Sequence, residues 1–432
     1  MIRGLFQVAI STVVRLGAGI FTFIYAASAW TAADFGSFMF AFSLSAMLVL
    51  CCEFGFSQQV LKEVGENPQS ISHTFSRFFA TKLCLAAVLI AVSFAFGFFI
   101  LKYRQEQTSQ FLLLLLAAIF TSFSDLVLSA LRALRMYGDE VRISISTTLI
   151  AVLIFFGLIF LGGSPMQLAI AFMVVRFIQM VVFFKVFSTD WISVRGIYEN
   201  CSIGNLLQTL KTGSAYASDV FVGAALVNLD MILVTRLLGY AEAGVYQAAA
   251  RLSQGVGIVY SVLASYFLPR LSAEAIKQNP NAGLTAQFGM VTAILGLLLV
   301  AGFVGAMFFY DSMPDDSPLD LSAKLLPGFA VLVIPRLLSG FFGVILTAQG
   351  KQSSRAMLYA LALMVFVASA FFLIEVYGVW GVIFAYGIAY GVLSIGFAIV
   401  SRKSFSLACL YLTAAAVLIS GFAIALIFRS YS

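Results

Sequence analysis

Long apolar runs, cut at intervals by charges, Gly, Pro or Asn, fill this chain from its first ten residues onward. A run of about 20 mostly apolar residues is long enough to cross a bilayer as a helix. Thirteen such spans are predicted, at 5–29, 37–61, 77–101, 111–134, 142–162, 166–187, 213–237, 242–267, 285–309, 321–347, 355–376, 379–400 and 405–428. Most of the polar residues fall in the short connections. The longest of these, 188–212, separates the first six spans from the next six and has room for a short surface helix. The division expected is an N-terminal lobe at 1–190, a cytoplasmic linker at 191–212, a C-terminal lobe at 213–402 and one further span in 403–432.

The charges orient these spans. Alternate loops collect Lys62, Arg77, Arg132, Arg135, Lys185, Lys211, Lys351 and Arg355, while the opposite loops hold Asp34, Glu106, Glu242, Asp311, Asp320 and Glu375, with Lys102, Arg104, Arg236, Lys324 and Arg429 the basic residues on or near that side. Basic loops stay on the cytoplasmic side, so the N-terminus is expected in the cytoplasm of a multi-pass membrane protein. Ala26-Ala27-Ser28-Ala29 has the look of a cleavage site, but Arg15 interrupts the apolar stretch before it, and a retained first helix is expected.

Composition agrees. The chain is 62% hydrophobic and 10% charged, where a soluble domain carries about 25% charged residues. The net charge of +6 is spread over loops, with no basic, aromatic-bearing soluble face for nucleic acid. The five cysteines form no CxxC spacing, and no metal or cofactor motif is present. The loops leave no room for an external catalytic domain, so an enzyme is not expected.

A weak internal repeat links the two halves. Asp34-Phe35-Gly36 and Glu242-Ala243-Gly244 are separated by the same 208 positions as Leu44-Ser45 and Leu252-Ser253. Gly163 and Gly378 stand 215 positions apart, as do Leu131-Arg132-Ala133 and Leu346-Thr347-Ala348. Matches in the same order within each half point to a parallel repeat with a cavity between two lobes.

The candidate chemistry is the charge held inside spans. Arg15, Asp125, Arg176, Asp230, Arg251 and Arg336 lie near span centres, with Glu53 and Asp219 nearer the cytoplasmic ends. A charge at a helix centre costs about 2.5–3.5 kcal/mol on insertion scales, so each has a reason to be there. Two readings stand side by side. The arginines Arg15, Arg176, Arg251 and Arg336 line a cavity and hold a phosphate or pyrophosphate, for which guanidinium offers bidentate bonds. Otherwise they pair with Asp125, Asp219 or Asp230 as locks between helices. Asp230 is also the candidate for proton or sodium coupling, and Asn228 for the polar cavity wall. Pro327 and Pro335 give the tenth span two places to bend.

The stretch 226–254 carries a resemblance. Asn228-Leu229-Asp230, then Leu238-Gly239, then Gly244-Val245-Tyr246, then Ala248-Ala249-Ala250-Arg251-Leu252 resemble the polysaccharide transporter family, which contains the Wzx-type O-antigen flippases of the multidrug/oligosaccharidyl-lipid/polysaccharide (MOP) exporter superfamily. Asp34-Phe35-Gly36, Glu53-Phe54-Gly55-Phe56-Ser57 and Thr347-Ala348-Gln349-Gly350-Lys351 are similar to other parts of its pattern. The resemblance implies an all-α, MATE-like fold of two six-helix lobes around a central cavity, with twelve or fourteen spans against the thirteen read here. It implies alternating access that flips an oligosaccharide linked to undecaprenyl pyrophosphate. The implied partners are that substrate, membrane lipids and other polysaccharide assembly proteins. A MATE-like exporter of drugs or small molecules is the alternative, and a membrane polymerase or ligase a more distant one.

Overall fold

The computed structural model describes residues 2–99, 105–187, 194–276, 282–311 and 318–401. Among them there are helices and no strands. In order these are α1 (Ile2–Ala29), α2 (Ala32–Leu48), α3 (Leu50–Glu53), α4 (Phe56–Glu66), α5 (Ile71–Phe99), α6 (Gln105–Ala133), α7 (Tyr137–Phe160) and α8 (Pro165–Phe187). They continue with α9 (Val194–Asn200), α10 (Ile203–Leu238), α11 (Tyr240–Ile276), α12 (Ala282–Asp311), α13 (Pro318–Ala323), α14 (Leu326–Ala348), α15 (Gln352–Tyr377) and α16 (Val379–Ser401). Eleven segments of the described chain are long and apolar enough to cross a membrane. The eighth expected span, 242–267, lies within α11, which is a 37-residue helix diluted by Gln247, Arg251, Ser253 and Gln254. The thirteenth, 405–428, lies outside the described residues.

Two departures from the expected spans have local causes. The second span, read as continuous over 37–61, is broken at Phe54 and Gly55, both left-handed with φ of 44° and 71°. The break turns the chain into α4, an amphipathic helix whose buried Phe56, Val60 and Val64 join a core with Phe75, Phe78 and Phe183. The stretch 191–212, read as a linker with room for a short helix, does contain one, α9, but its residues 203–212 are the first turns of α10.

The contacts divide the chain into two compact units. The first holds the chain up to Ala18 together with Ser37–Asn228, and the second holds Gly19–Gly36 and the chain from Leu229 on. In the first, α6 packs against α4, α5, α7 and α8. In the second, α14 is the most enclosed span and packs against α11, α12 and α16.

Glycine decides two features of the second unit. Gly239, at φ 96°, is the whole connection between α10 and α11, a backbone angle that L side chains rarely take. The first turns of α2 and α11 cross backbone to backbone. A Cβ on Gly36 would lie 1.8 Å from the Tyr240 carbonyl oxygen, and one on Gly244 2.0 Å from that of Ala32. Close approach of this kind uses small residues on both helices.

Candidate functional site

In the first unit, Arg15 of α1 and Asp125 of α6 form an ion pair at 2.8 Å. Of the two roles open to Arg15, the lock is therefore occupied. The pair is not sealed, with the side chains 27% and 40% exposed. Arg176 of α8 is close enough for its charge to act on both, and its guanidinium donates to Gln179 Oε1 at 2.6 Å. Gln179 in turn donates to Thr147 Oγ1 at 3.1 Å, tying α8 to α7. Asp125 and Arg176 border a cavity of about 280 Å³. Asp125, Arg176, Thr121, Ser122 and Glu53 give it polar walls, and Phe42, Phe172, Leu50 and Leu114 apolar ones. Arg15 neutralises Asp125, so the Arg176 guanidinium stands in the lining as surplus positive charge.

Glu53 brings a second charge pair to the same wall. Its carboxylate accepts from Lys82 Nζ at 2.5 Å and from the hydroxyls of Ser122 and Ser57. Lys82 is completely buried, donates also to the Ser122 carbonyl at 2.8 Å and lies 5.7 Å from the Phe123 ring centroid. This bridge joins α3, α5 and α6 directly beside the Phe54–Gly55 break. Sequence reasoning missed Lys82, and its only signal is a lone lysine inside an apolar run. It also missed Glu140, which is buried at the start of α7 and accepts from the Arg132 guanidinium at 2.6 and 2.9 Å.

In the second unit, Asp230 of α10 is enclosed by donors. Its Oδ2 accepts from the Tyr246 hydroxyl at 2.6 Å, its Oδ1 from the Met231 amide at 2.7 Å, and the Tyr386 hydroxyl also donates to it. Gly239 makes this contact geometry: the tight turn lays the start of α11 back along the end of α10, so Tyr246 reaches Asp230. Arg251 is buried, acts on Asp230 through its charge, donates to Gln254 at 3.0 Å and stacks 4.3 Å above the Phe23 ring. Arg336 of α14 donates to the Ser253 carbonyl and hydroxyl at 3.0 and 2.8 Å and faces the Tyr390 ring at 5.3 Å. Tyr390 stacks on Tyr386, with centroids 5.7 Å apart. Neither tyrosine of this cluster at 386 and 390 stood out in the sequence, because aromatic residues are common in spans.

The prolines separate in role. Pro327 stands in the first turn of α14, where an N–H would be unpaired in any case. Pro335 is interior and removes the bond to the carbonyl of Val331. Ser394 of α16 donates to the Pro335 carbonyl at 2.8 Å, fixing α16 at that point.

The expected site residues thus fall into two groups, Arg15, Asp125 and Arg176 in the first unit, and Asp230, Arg251 and Arg336 in the second. Asn228 donates to the Ala224 carbonyl of its own helix at 2.9 Å. The side chain of Asp219 lies outside the described residues. Among the described residues no group of three or more His, Cys, Asp or Glu is placed to hold a metal.

Comparison with known proteins places this geometry. The fold resembles that of the lipid II flippase MurJ in an inward closed conformation, with a TM-score of 0.73 at 14% identity over 100% of this chain and 98% of that one. It also resembles an inward-facing multidrug resistance MATE transporter of the MOP superfamily, with a TM-score of 0.70 at 13% identity over 92% and 98% of the two chains. A putative O-antigen transporter of Shigella flexneri is 26% identical over 175 residues, which are 39% of this chain and 40% of that protein. The aligned segment therefore spans well under half the length of this relative. Residues 1–274 match the model of the family described as polysaccharide biosynthesis protein; that match takes in more than half of the 432 residues, and the chain belongs to this family.

Proposed function

We propose that this protein moves an oligosaccharide linked to undecaprenyl pyrophosphate from the cytoplasmic to the outer leaflet of a bacterial inner membrane, by alternating access. Membership of a polysaccharide biosynthesis family and a fold shared with MOP transporters favour a membrane transporter of glycan precursors. The observation that carries the substrate class is the polar cavity of the first unit, where the lining carboxylates Asp125 and Glu53 are paired with Arg15 and Lys82, and the Arg176 guanidinium is in surplus. Net positive charge within a membrane span is costly unless an anion balances it, and a diphosphate offers paired oxygens to the planar fork of an arginine. The same surplus suits a cationic drug poorly, which places the small-molecule exporter second. Coupling to a proton or sodium ion is assigned in this reading to Asp230, and other polysaccharide assembly proteins are the expected partners.

Arg176→Ala is expected to insert normally yet lower surface polysaccharide by tenfold or more, with the lipid-linked oligosaccharide accumulating on the cytoplasmic leaflet. Arg176→Lys should retain part of the export, because charge survives while the bidentate fork is lost. Leaflet-resolved extraction of lipid-linked glycans, at matched protein level, checks both. Full export by the alanine variant ends the proposal.

A further inference from the structure

A second cavity, of about 420 Å³, lies in the first unit on the opposite face of α6. At about 100° per residue around a helix, Phe120 and Phe123 point away from Thr121, Ser122 and Asp125, which border the polar cavity. Phe79 and Leu83 of α5 and Met180 and Phe184 of α8 complete the apolar walls, and Lys185 is the single charged residue in the lining. Lys82, paired with Glu53 of the polar cavity's lining, lies 5.7 Å from the ring of Phe123, which lines this one.

The walls are braced by ring contacts. Phe79 meets Phe123 at 5.2 Å and Phe184 at 5.4 Å between centroids. Leu83 is 46% exposed, and the exposed Ile90 and Phe94, seven and eleven residues farther along α5, continue the same apolar face, which in a bilayer faces hydrocarbon. Lys185 stands in the last turn of α8. There Phe187 packs on Phe75 at 4.7 Å, so the end of α8 meets the start of α5, and Lys185 supplies the charge at that end of the groove. The groove therefore runs from hydrocarbon to a basic end.

We infer that this groove binds one chain of an anionic membrane phospholipid, with the lipid phosphate against the Lys185 ammonium. A concave wall of fixed aromatic rings gives a lipid chain more contact than the convex face of a single helix, and dispersion gains add over many atom pairs. A basic side chain near the surface favours an anionic headgroup by about fivefold. The remaining lining is apolar, so nothing in it would recognise a free phosphate without its chain. The occupant proposed here is distinct from the transported glycan lipid and does not depend on that assignment.

The test uses the full chain carrying a benzophenone amino acid at Leu83, in nanodiscs of equal phosphatidylglycerol and phosphatidylcholine with identical acyl chains. After illumination, mass spectrometry counts the two kinds of lipid adduct. The same probe at Leu153 of α7, which is 73% exposed and off the groove, serves as the reference. Phosphatidylglycerol should exceed phosphatidylcholine about fivefold at Leu83 and show no such excess at Leu153. Lys185→Ala should bring the Leu83 ratio down to the reference, and Met180→Trp, which fills the groove, should remove most adducts there while leaving those at Leu153. Equal ratios at the two positions, an unchanged ratio in Lys185→Ala, or adducts at Leu83 to protein in place of lipid would overturn the assignment.

Discussion

Lys82→Ala is expected to lose about 3–5 kcal/mol of stability, the usual consequence of removing one member of a buried ion pair. Lys82 is fully buried and Glu53 17% exposed, so the carboxylate left behind would keep only its two serine donors. Its helix would also lose the fastening beside the left-handed residues Phe54 and Gly55. Thermal unfolding of the detergent-purified protein, followed by intrinsic fluorescence, should show a lower midpoint for the single variant. Lys82→Met combined with Glu53→Leu should recover most of the loss, because an apolar pair of similar volume has no stranded charge. A single variant as stable as the parent would show that the bridge holds nothing together.

Gly36→Ala should be more damaging still. The added carbon would fall 1.8 Å from a backbone oxygen of α11, and a backbone oxygen in a packed crossing cannot turn aside as a flexible side chain could. Helices α2 and α11 would have to separate at their first turns, so monodisperse protein after size-exclusion chromatography should fall close to background. Gly223→Ala in α10 meets nothing within 4 Å and gains helix propensity of roughly 0.5–1 kcal/mol. It should purify as well as the parent. Equal yields for the two variants would refute the close crossing.

The helices were legible in the sequence because a bilayer demands long apolar runs, and charges or glycines mark where those runs stop. Breaks inside a run were not. Glu53 and Gly55 flank Phe54 at the break, but a single charge and a single glycine also occur in spans that run on, and the amphipathic spacing of Phe56, Val60 and Val64 is the further hint that the chain turns there. The charged residues of the candidate site were visible one by one, since any charge in a span is conspicuous. Their partners were not, because a partner depends on the rotation and height of a second helix. Arg15 had two open roles until α1 and α6 were placed together, and Asp230 reads as a bare carboxylate until the Gly239 turn sets Tyr246 against it. Lys82 shows the limit best, as a single lysine in the run from 79 to 92 carries no sign of the carboxylate that receives it.

The glycine crossing has a further meaning. Gly36 approaches Tyr240 while Gly244 approaches Ala32, and both Ala32 to Tyr240 and Gly36 to Gly244 are steps of 208 positions. Each partner in the contact is thus the copy of the other, the reciprocal pattern that a dyad axis imposes on identical subunits. Enlarging either glycine would therefore be expected to strain the same crossing from its opposite side.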